Sequence, residues 1–162
     1  MKKILLFVTA VVIALSTFAN DETPLVVSAS HVKNIELGSN MKVTLINAAS
    51  LKTVTNASPV DVFEKLNIEF SNGNMRLELR TNTDKNQRVY IIVNDLQRLT
   101  IGENTFVETQ DFLPAKKMKI IIGDQSYVRL LTNATVNAYS LDGLSVDIQT
   151  KRFPSQKTKT PL

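Results

Sequence analysis

The sequence contains no cysteine and a single histidine, His31. Without cysteine, the chain has no disulfide framework, and thiolates are excluded as metal ligands or nucleophiles. One histidine cannot build a multi-histidine metal site, and no serine has the context of a catalytic triad. We interpret Ser126 and Ser145 as turn residues and expect His31 to be exposed without a functional role. The sequence therefore predicts no catalytic residue and no cofactor.

A large excess of basic residues is also missing from most of the chain. The whole sequence has 19 Lys and Arg against 15 Asp and Glu. Two of these bases lie at the N-terminus and four lie in residues 151–162, namely Lys2, Lys3, Lys151, Arg152, Lys157 and Lys159. Removing these six leaves 13 bases for the 15 acids of residues 20–150. This balance is not typical of a nucleic-acid-binding protein, so no nucleic-acid partner is expected.

Long apolar runs are absent except at the N-terminus. Lys2 and Lys3 precede the apolar segment Ile4–Leu15, which is followed by the small-x-small sequence Thr17-Phe18-Ala19. This order is typical of a secretory signal peptide, and the run is shorter than the ~20 residues that span a bilayer. We expect cleavage after Ala19, no transmembrane segment, and a mature protein in the periplasm or at the cell surface. The expected organisation is a signal peptide at 1–19, one all-β domain at 20–150 and a basic disordered tail at 151–162.

Hydrophobic and polar residues alternate along most of the remaining chain, which is the pattern of β-strands. The sequence Ser71-Asn72-Gly73-Asn74 lies between two such segments, and its Asn-Gly pair favours a tight hairpin. Val89–Val93 is apolar throughout and predicts a central strand that is covered on both faces. Pro59–Leu66 is expected to form at most one or two helical turns. The apolar positions of two further strands are Met41, Val43 and Leu45, and Met75, Leu77 and Leu79.

Two segments that begin 21 positions apart have nearly the same sequence. Leu99–Thr109 reads LTIGENTFVET and Ile120–Leu130 reads IIIGDQSYVRL. A β-type repeat of this length is typical of a solenoid whose coils stack on one another, and a third coil is predicted around Leu141–Ile148. We predict an all-β fold in which strands and a hairpin in the N-terminal half lead into a short single-stranded β-helix-like solenoid. A β-sandwich, which would pair the repeats antiparallel, is the alternative.

The repeat also predicts which side chains stack on neighbouring strands, ~4.8 Å apart. Phe106 is expected over Tyr127, and Glu108 over Arg129. Glu103 is expected over Asp124, and two carboxylates at this spacing repel each other unless a cation binds. The candidate metal ligands are therefore Glu103, Asp124 and Asp142. The favoured interpretation is a solvated turn, where screening makes the repulsion small.

Several of these segments together resemble one family of exported bacterial proteins. They are the opening strands Val32–Leu37 and Met41–Leu45, the Asn-Gly hairpin followed by MRLELR, and the segment RVYIIVNDLQRLTIG. This combination resembles the autotransporter-adhesin head domain family, the head GIN domain, over roughly Val32 to Thr150. The resemblance implies a β-helix-like stack similar to pectate-lyase-type solenoids without their catalytic residues, and a function in adhesion or surface binding. The chain departs from the family in its turns, since Gly102 and Gly123 stand alone where Gly-Ser-rich turns are usual.

We therefore expect an exported, non-enzymatic binding or adhesion module of the bacterial envelope, with a glycan or an envelope protein as its partner. One alternative is a polysaccharide lyase-like, carbohydrate-active enzyme, which needs clustered acids to hold Ca²⁺ and a Lys or Arg as base. The other alternative is an envelope scaffold or assembly partner whose exposed edge strand accepts another chain.

Overall fold

The computed structural model describes residues 25–50 and 59–141, which form two β-sheets around one hydrophobic core. The predicted all-β class is confirmed. No helix in these two ranges is long and apolar enough to cross a membrane. The predicted signal peptide, the tail and nearly all of the predicted third coil lie outside the described residues.

The described ranges contain eleven strands and two short helical segments. The strands are β1 (Leu25–Ser28), β2 (Asn34–Leu37), β3 (Lys42–Asn47), β4 (Leu66–Ser71), β5 (Asn74–Leu79), β6 (Arg88–Val93), β7 (Arg98–Ile101), β8 (Phe106–Thr109), β9 (Lys117–Ile122), β10 (Tyr127–Arg129) and β11 (Thr135–Ser140). The helical segments are a 3₁₀ turn at Ala48–Ser50 and the helix α1 at Pro59–Lys65. The helix confirms the prediction of at most two turns. Strand β11 was not predicted from the sequence.

The chain crosses repeatedly from one sheet to the other. The five-stranded sheet has the order β1-β6-β3-β8-β10, and the six-stranded sheet has the order β11-β9-β7-β2-β5-β4. Every pair of neighbouring strands in these sheets is parallel except β4 and β5, which form the predicted hairpin. Asn72 and Gly73 in its turn have φ angles of 48° and 75°, as the Asn-Gly pair predicts.

The strands follow chain order in only one part of the stack. From β7 onward, β7, β9 and β11 lie side by side in one sheet, and β8 and β10 in the other. Before β7 the order changes, because β2 and β3 lie in the middle with β5 and β6 on one side and β7 and β8 on the other. The N-terminal half is therefore not a row of coils added one after another.

The repeat pairs in the predicted register. Leu99 pairs with Ile120 and Val107 with Val128, both in parallel strands. The antiparallel pairing that the β-sandwich alternative required is therefore wrong for these segments. A third copy of the repeat, which was not predicted, occupies Ile35–Leu45 and pairs with Leu99–Thr109 in the same manner. Its sequence, IELGSNMKVTL, keeps the glycine and the asparagine of the turn.

The core is formed by the alternate residues of the strands that point between the sheets. The predicted alternation is confirmed at Met41, Val43 and Leu45 and at Met75 and Leu77, which are all buried. Strand β6 is central, between β1 and β3, and Val89, Ile91, Ile92 and Val93 are buried as predicted, whereas Tyr90 is half-buried. All of these buried side chains except Ile92 belong to one cluster between the sheets, and their burial is the main force that holds the two sheets together.

The turns of the three repeats stack directly on one another. Asn40, Asn104 and Gln125 have φ angles of 59°, 51° and 56°, a left-handed conformation that asparagine tolerates better than most residues. The Asn104 side-chain amide donates a 2.8 Å hydrogen bond to the Asn40 carboxamide oxygen. The hydroxyl of Thr105 donates to the Gly38 carbonyl at 3.0 Å, and the hydroxyl of Ser126 donates to the Gly102 carbonyl at 2.6 Å. These hydrogen bonds between the stacked turns therefore fix the register of the paired strands.

Candidate functional site

The outer face of the six-stranded sheet carries two rows of side chains that cross all six strands. In each strand the residues between the buried ones point outward, and the pairing register aligns them across the sheet. The first row, called the amide row, consists of Ser71, Asn74, Asn34, Arg98, Lys119 and Asn137. The second row consists of Glu69, Arg76, Glu36, Thr100, Ile121 and Tyr139.

A shallow trough of about 270 Å³ lies between the two rows on β4, β5, β2 and β7. Its walls are polar, and its floor includes Ile35 and Met75. In the amide row, the Asn34 side-chain amide donates a 2.7 Å hydrogen bond to the Asn74 carboxamide oxygen, which fixes both groups at the wall of the trough. An open, polar concavity of this kind can contact an extended ligand along several strands at once.

The end of this face formed by β4, β5 and β2 is acidic, and the cation Arg76 there is paired with glutamates. Arg76 on β5 donates two hydrogen bonds to Glu78 at 2.7 and 3.0 Å, and its Nε lies 3.8 Å from the Glu36 carboxylate. The hydrogen bond and the charge of Glu78 raise the pKa of Arg76, with a smaller contribution from Glu36. The guanidinium is thus surrounded by negative charge and adds little positive potential to the trough.

The opposite end of the face, on β7 and β9, carries positive charges that pair with no carboxylate of the described residues. Arg98 on β7 and Lys117 and Lys119 on β9 are exposed, and none of them forms an ion pair within residues 25–50 and 59–141. The Lys119 ammonium lies 5.2 Å from the centre of the Tyr139 ring on β11, a cation–π contact. These three cations are named the basic lane.

A comparison with known protein families shows to which family the chain belongs. The family model described as "Putative auto-transporter adhesin, head GIN domain" matches residues 31–150. The chain belongs to the head GIN domain family. No curated protein and no solved structure matches it. The resemblance seen in the sequence is therefore confirmed, and the match contains both rows of the outer face but begins after β1.

The predicted metal ligands Glu103 and Asp124 of this head GIN domain lie on the stacked turns and are not among the residues that line the trough. Glu103 and Asp124 occupy equivalent positions of neighbouring turns and are both exposed, whereas Ser39 takes the same position in the third turn. Asp142 lies outside the described residues. Within the part of the chain that the structure describes, no three His, Cys, Asp or Glu side chains are grouped as a metal site would require. Cation binding by Glu103 and Asp124 stays a prediction.

The outer face of the five-stranded sheet carries the predicted aromatic pair. The rings of Phe106 and Tyr127 stack with centroids 5.2 Å apart and planes 10° from parallel, which confirms this contact. Glu108 and Arg129 are paired in register, as predicted. However, the carboxylate of Glu108 forms its ion pair with Arg88, which reaches across β3, so the expected ion pair with Arg129 is wrong.

The basic lane and the trough were not predicted from the sequence. Their residues come from β2, β4, β5, β7 and β9, and the order of these strands in the sheet differs from their order in the chain. The short cluster Lys116, Lys117 and Lys119 was the only local signal available. His31 lies exposed between β1 and β2, and its lack of a role stays a prediction.

Proposed function

We propose that this head GIN domain is an exported, non-enzymatic binding module of the bacterial envelope that holds a glycan on the outer face of its six-stranded sheet. The observation that carries the proposal is the trough between the two rows of polar side chains. A glycan presents many hydroxyl groups, and the amide, hydroxyl and guanidinium groups of the trough are donors and acceptors at regular spacing along a rigid sheet.

Several features support binding rather than chemistry. The trough is open and shallow, whereas enzymes usually enclose the reacting atoms in a site from which water can be excluded. A polysaccharide lyase needs clustered acids for Ca²⁺ as well as a base, and Glu103 and Asp124 are not among the residues that line the trough with Glu36 and Glu69. Export is supported by the basic, apolar and small-x-small order of residues 1–19.

The proposal is tested with the chain from Asn20 to Leu162 on a glycan array and in an assay with uronic-acid polymers. We expect binding to at least one class of glycan, and no formation of unsaturated or reducing ends in the polymer assay. The variant Asn34→Ala with Asn74→Ala should weaken binding by about fivefold or more, because both amides leave the trough. The control Asn82→Ala, in the exposed segment between β5 and β6, should bind like the wild type.

Two results would contradict the proposal. The first is the absence of binding to every glycan on the array and to isolated envelope polysaccharide. The second is cleavage of a polymer by the wild type that is lost in a variant of the trough, which would establish the lyase-like alternative.

A further inference from the structure

The charge on the outer face of the six-stranded sheet is divided unevenly. The half formed by β2, β4 and β5 contains Glu36, Glu69 and Glu78 around Arg76. The half formed by β7 and β9 contains the basic lane, Arg98, Lys117 and Lys119, and no carboxylate in either row. A ligand that lies along the face therefore meets positive potential at this end.

The cations of the basic lane lie close together because of the strand pairing. Arg98 and Lys119 are directly opposite each other on parallel strands, at a backbone spacing of ~4.8 Å. Lys117 is two residues earlier in β9 and points to the same side of the sheet. Like charges directly opposite on one face destabilise a sheet, and a bound polyanion relieves that repulsion. The arrangement thus favours an anionic ligand.

The neighbours of the basic lane match a sugar polymer better than a lipid or a simple ion. Asn34 and Asn137 flank Arg98 and Lys119 in the amide row and can bind hydroxyl groups. Tyr139 provides an aromatic ring beside Lys119. The large exposed apolar residues, which a membrane surface would require, are Phe63, Phe70, Tyr127 and Leu141 in the described structure, and none of them belongs to the basic lane or to either row.

We propose that the basic lane binds a linear polysaccharide that carries a carboxylate on each sugar, a polyuronate, and that the polymer lies across β7, β9 and β11 along their part of the amide row. Arg98 and Lys119, one rung apart, pair with carboxylates of neighbouring sugars, while the amides of the row bind the hydroxyl groups. This inference rests on the proposed function and names the class of glycan that the face takes.

The test compares two polymers that differ only in charge. Calorimetry measures the binding of polygalacturonate oligomers and of the same oligomers after reduction of their carboxyl groups to alcohols. We expect the wild type to bind the charged oligomers at least tenfold more tightly, with an affinity that falls as salt is added. Arg98→Glu with Lys119→Glu should lower that affinity by roughly tenfold or more, because both favourable contacts become repulsive.

A matched control separates the position of the charges from the net charge. Lys85→Glu with Arg129→Glu produces the same change of net charge at two exposed cations outside both rows, in the segment between β5 and β6 and on the five-stranded sheet. This variant should stay within about twofold of the wild type. Circular dichroism and thermal unfolding of all variants identify any loss of fold.

The outcomes distinguish this inference from the proposed function. Equal loss of binding in both double variants would overturn the basic lane, since net charge alone would then explain the affinity. Equal binding of the charged and the reduced oligomers would overturn the polyuronate, while the glycan-binding function would stand. Failure to bind any glycan would overturn both, and tighter binding of a nucleic acid or an anionic vesicle than of polygalacturonate would replace the polyuronate by that ligand.

Discussion

Gly102 and Gly123 lie where the backbones of stacked turns approach most closely. A methyl group on Gly102 would lie 2.6 Å from the carbonyl carbon of Gly38, and one on Gly123 would lie 2.6 Å from the carbonyl carbon of Gly102. Neither residue has a positive φ angle. Space between rungs, rather than backbone conformation, therefore requires glycine at these two positions.

We expect Gly102→Ala to lower the free energy of unfolding by about 1–3 kcal/mol, because backbone atoms on the next rung must move apart. The measurement is denaturant unfolding monitored by circular dichroism. The control is Gly73→Asn, at a hairpin position with a φ angle of 75° and no atom within 4 Å of the added carbon. Asparagine tolerates that conformation, so the control should stay within about 0.5 kcal/mol of the wild type. A smaller cost for Gly102→Ala than for the control would contradict this explanation.

The stacked aromatic rings should contribute a measurable coupling energy. Phe106 is half-buried and Tyr127 is 55% exposed, so Phe106→Ala should cost about 1–2 kcal/mol, less than at a fully buried site. In a double-mutant cycle with Phe106→Leu and Tyr127→Leu, we expect a coupling of about 0.5–1.5 kcal/mol from ring stacking. The same cycle with Phe106→Leu and Phe70→Leu, on different sheets, should show none. Equal coupling in both cycles would refute a specific contribution of the stack.

Glu108 forms its ion pair with a residue two strands away rather than with the oppositely charged residue directly opposite it. Arg88 on β6 passes over β3, donates a 3.0 Å hydrogen bond to the hydroxyl of Thr44, and forms an ion pair with Glu108 on β8. Glu108 is opposite Arg129 on its other side but does not pair with it. One side chain thus connects three neighbouring strands of the five-stranded sheet.

This connection predicts different results for two charge exchanges. In the Arg129→Ala background, which removes the like charge opposite position 108, exchanging Arg88→Glu with Glu108→Arg keeps the pair and should change the free energy of unfolding by less than about 0.5 kcal/mol. Exchanging Glu108→Arg with Arg129→Glu brings two arginines together at positions 88 and 108 and should cost about 1 kcal/mol or more, an effect reduced by solvent because both partners are partly exposed. Urea unfolding at low and high salt tests both variants. The reverse ranking would mean that the pair of Arg88 and Glu108 is unimportant.

The segments that could be predicted from the sequence are those in which the local residue pattern and the strand pairing point to the same register. Leu99–Thr109 and Ile120–Leu130 have turns of equal length, so similarity alone fixes their register. Ile35–Leu45 pairs equally well, but Met41 and Lys42 replace the threonine and phenylalanine of its neighbour, and the two copies are 64 positions apart. Strand β11 contains mostly polar or small residues, TVNAYS, because its outer face is exposed. The candidate site depends on strand order, which no local pattern encodes.

The N-terminal sequence predicts where the mature chain begins. The order of Lys2 and Lys3, Ile4–Leu15 and Thr17-Phe18-Ala19 is that of a signal peptide, so we expect the envelope-associated protein to start at Asn20 or next to it. N-terminal sequencing and intact mass of the envelope fraction measure this. Ala19→Phe should block cleavage, because the enzyme requires a small residue there, and should leave the longer form. Retention of Met1 in the exported wild type would disprove the prediction.

The central position of β2 and β3 has a consequence for how the protein folds. Strand β2 pairs with β5, 40 positions away, and with β7, 64 positions away, while β3 pairs with β6 and with β8. Strand β2 therefore has no neighbour in its sheet until β5 has been made, and β3 has none until β6 has been made. Folding cannot grow from the N-terminus one layer at a time, and such distant contacts make it slow, on the order of milliseconds to seconds. We expect the newly made chain to stay without a stable fold for long enough to be threaded through a secretion channel, and to be vulnerable to aggregation at its open strand edges during that interval.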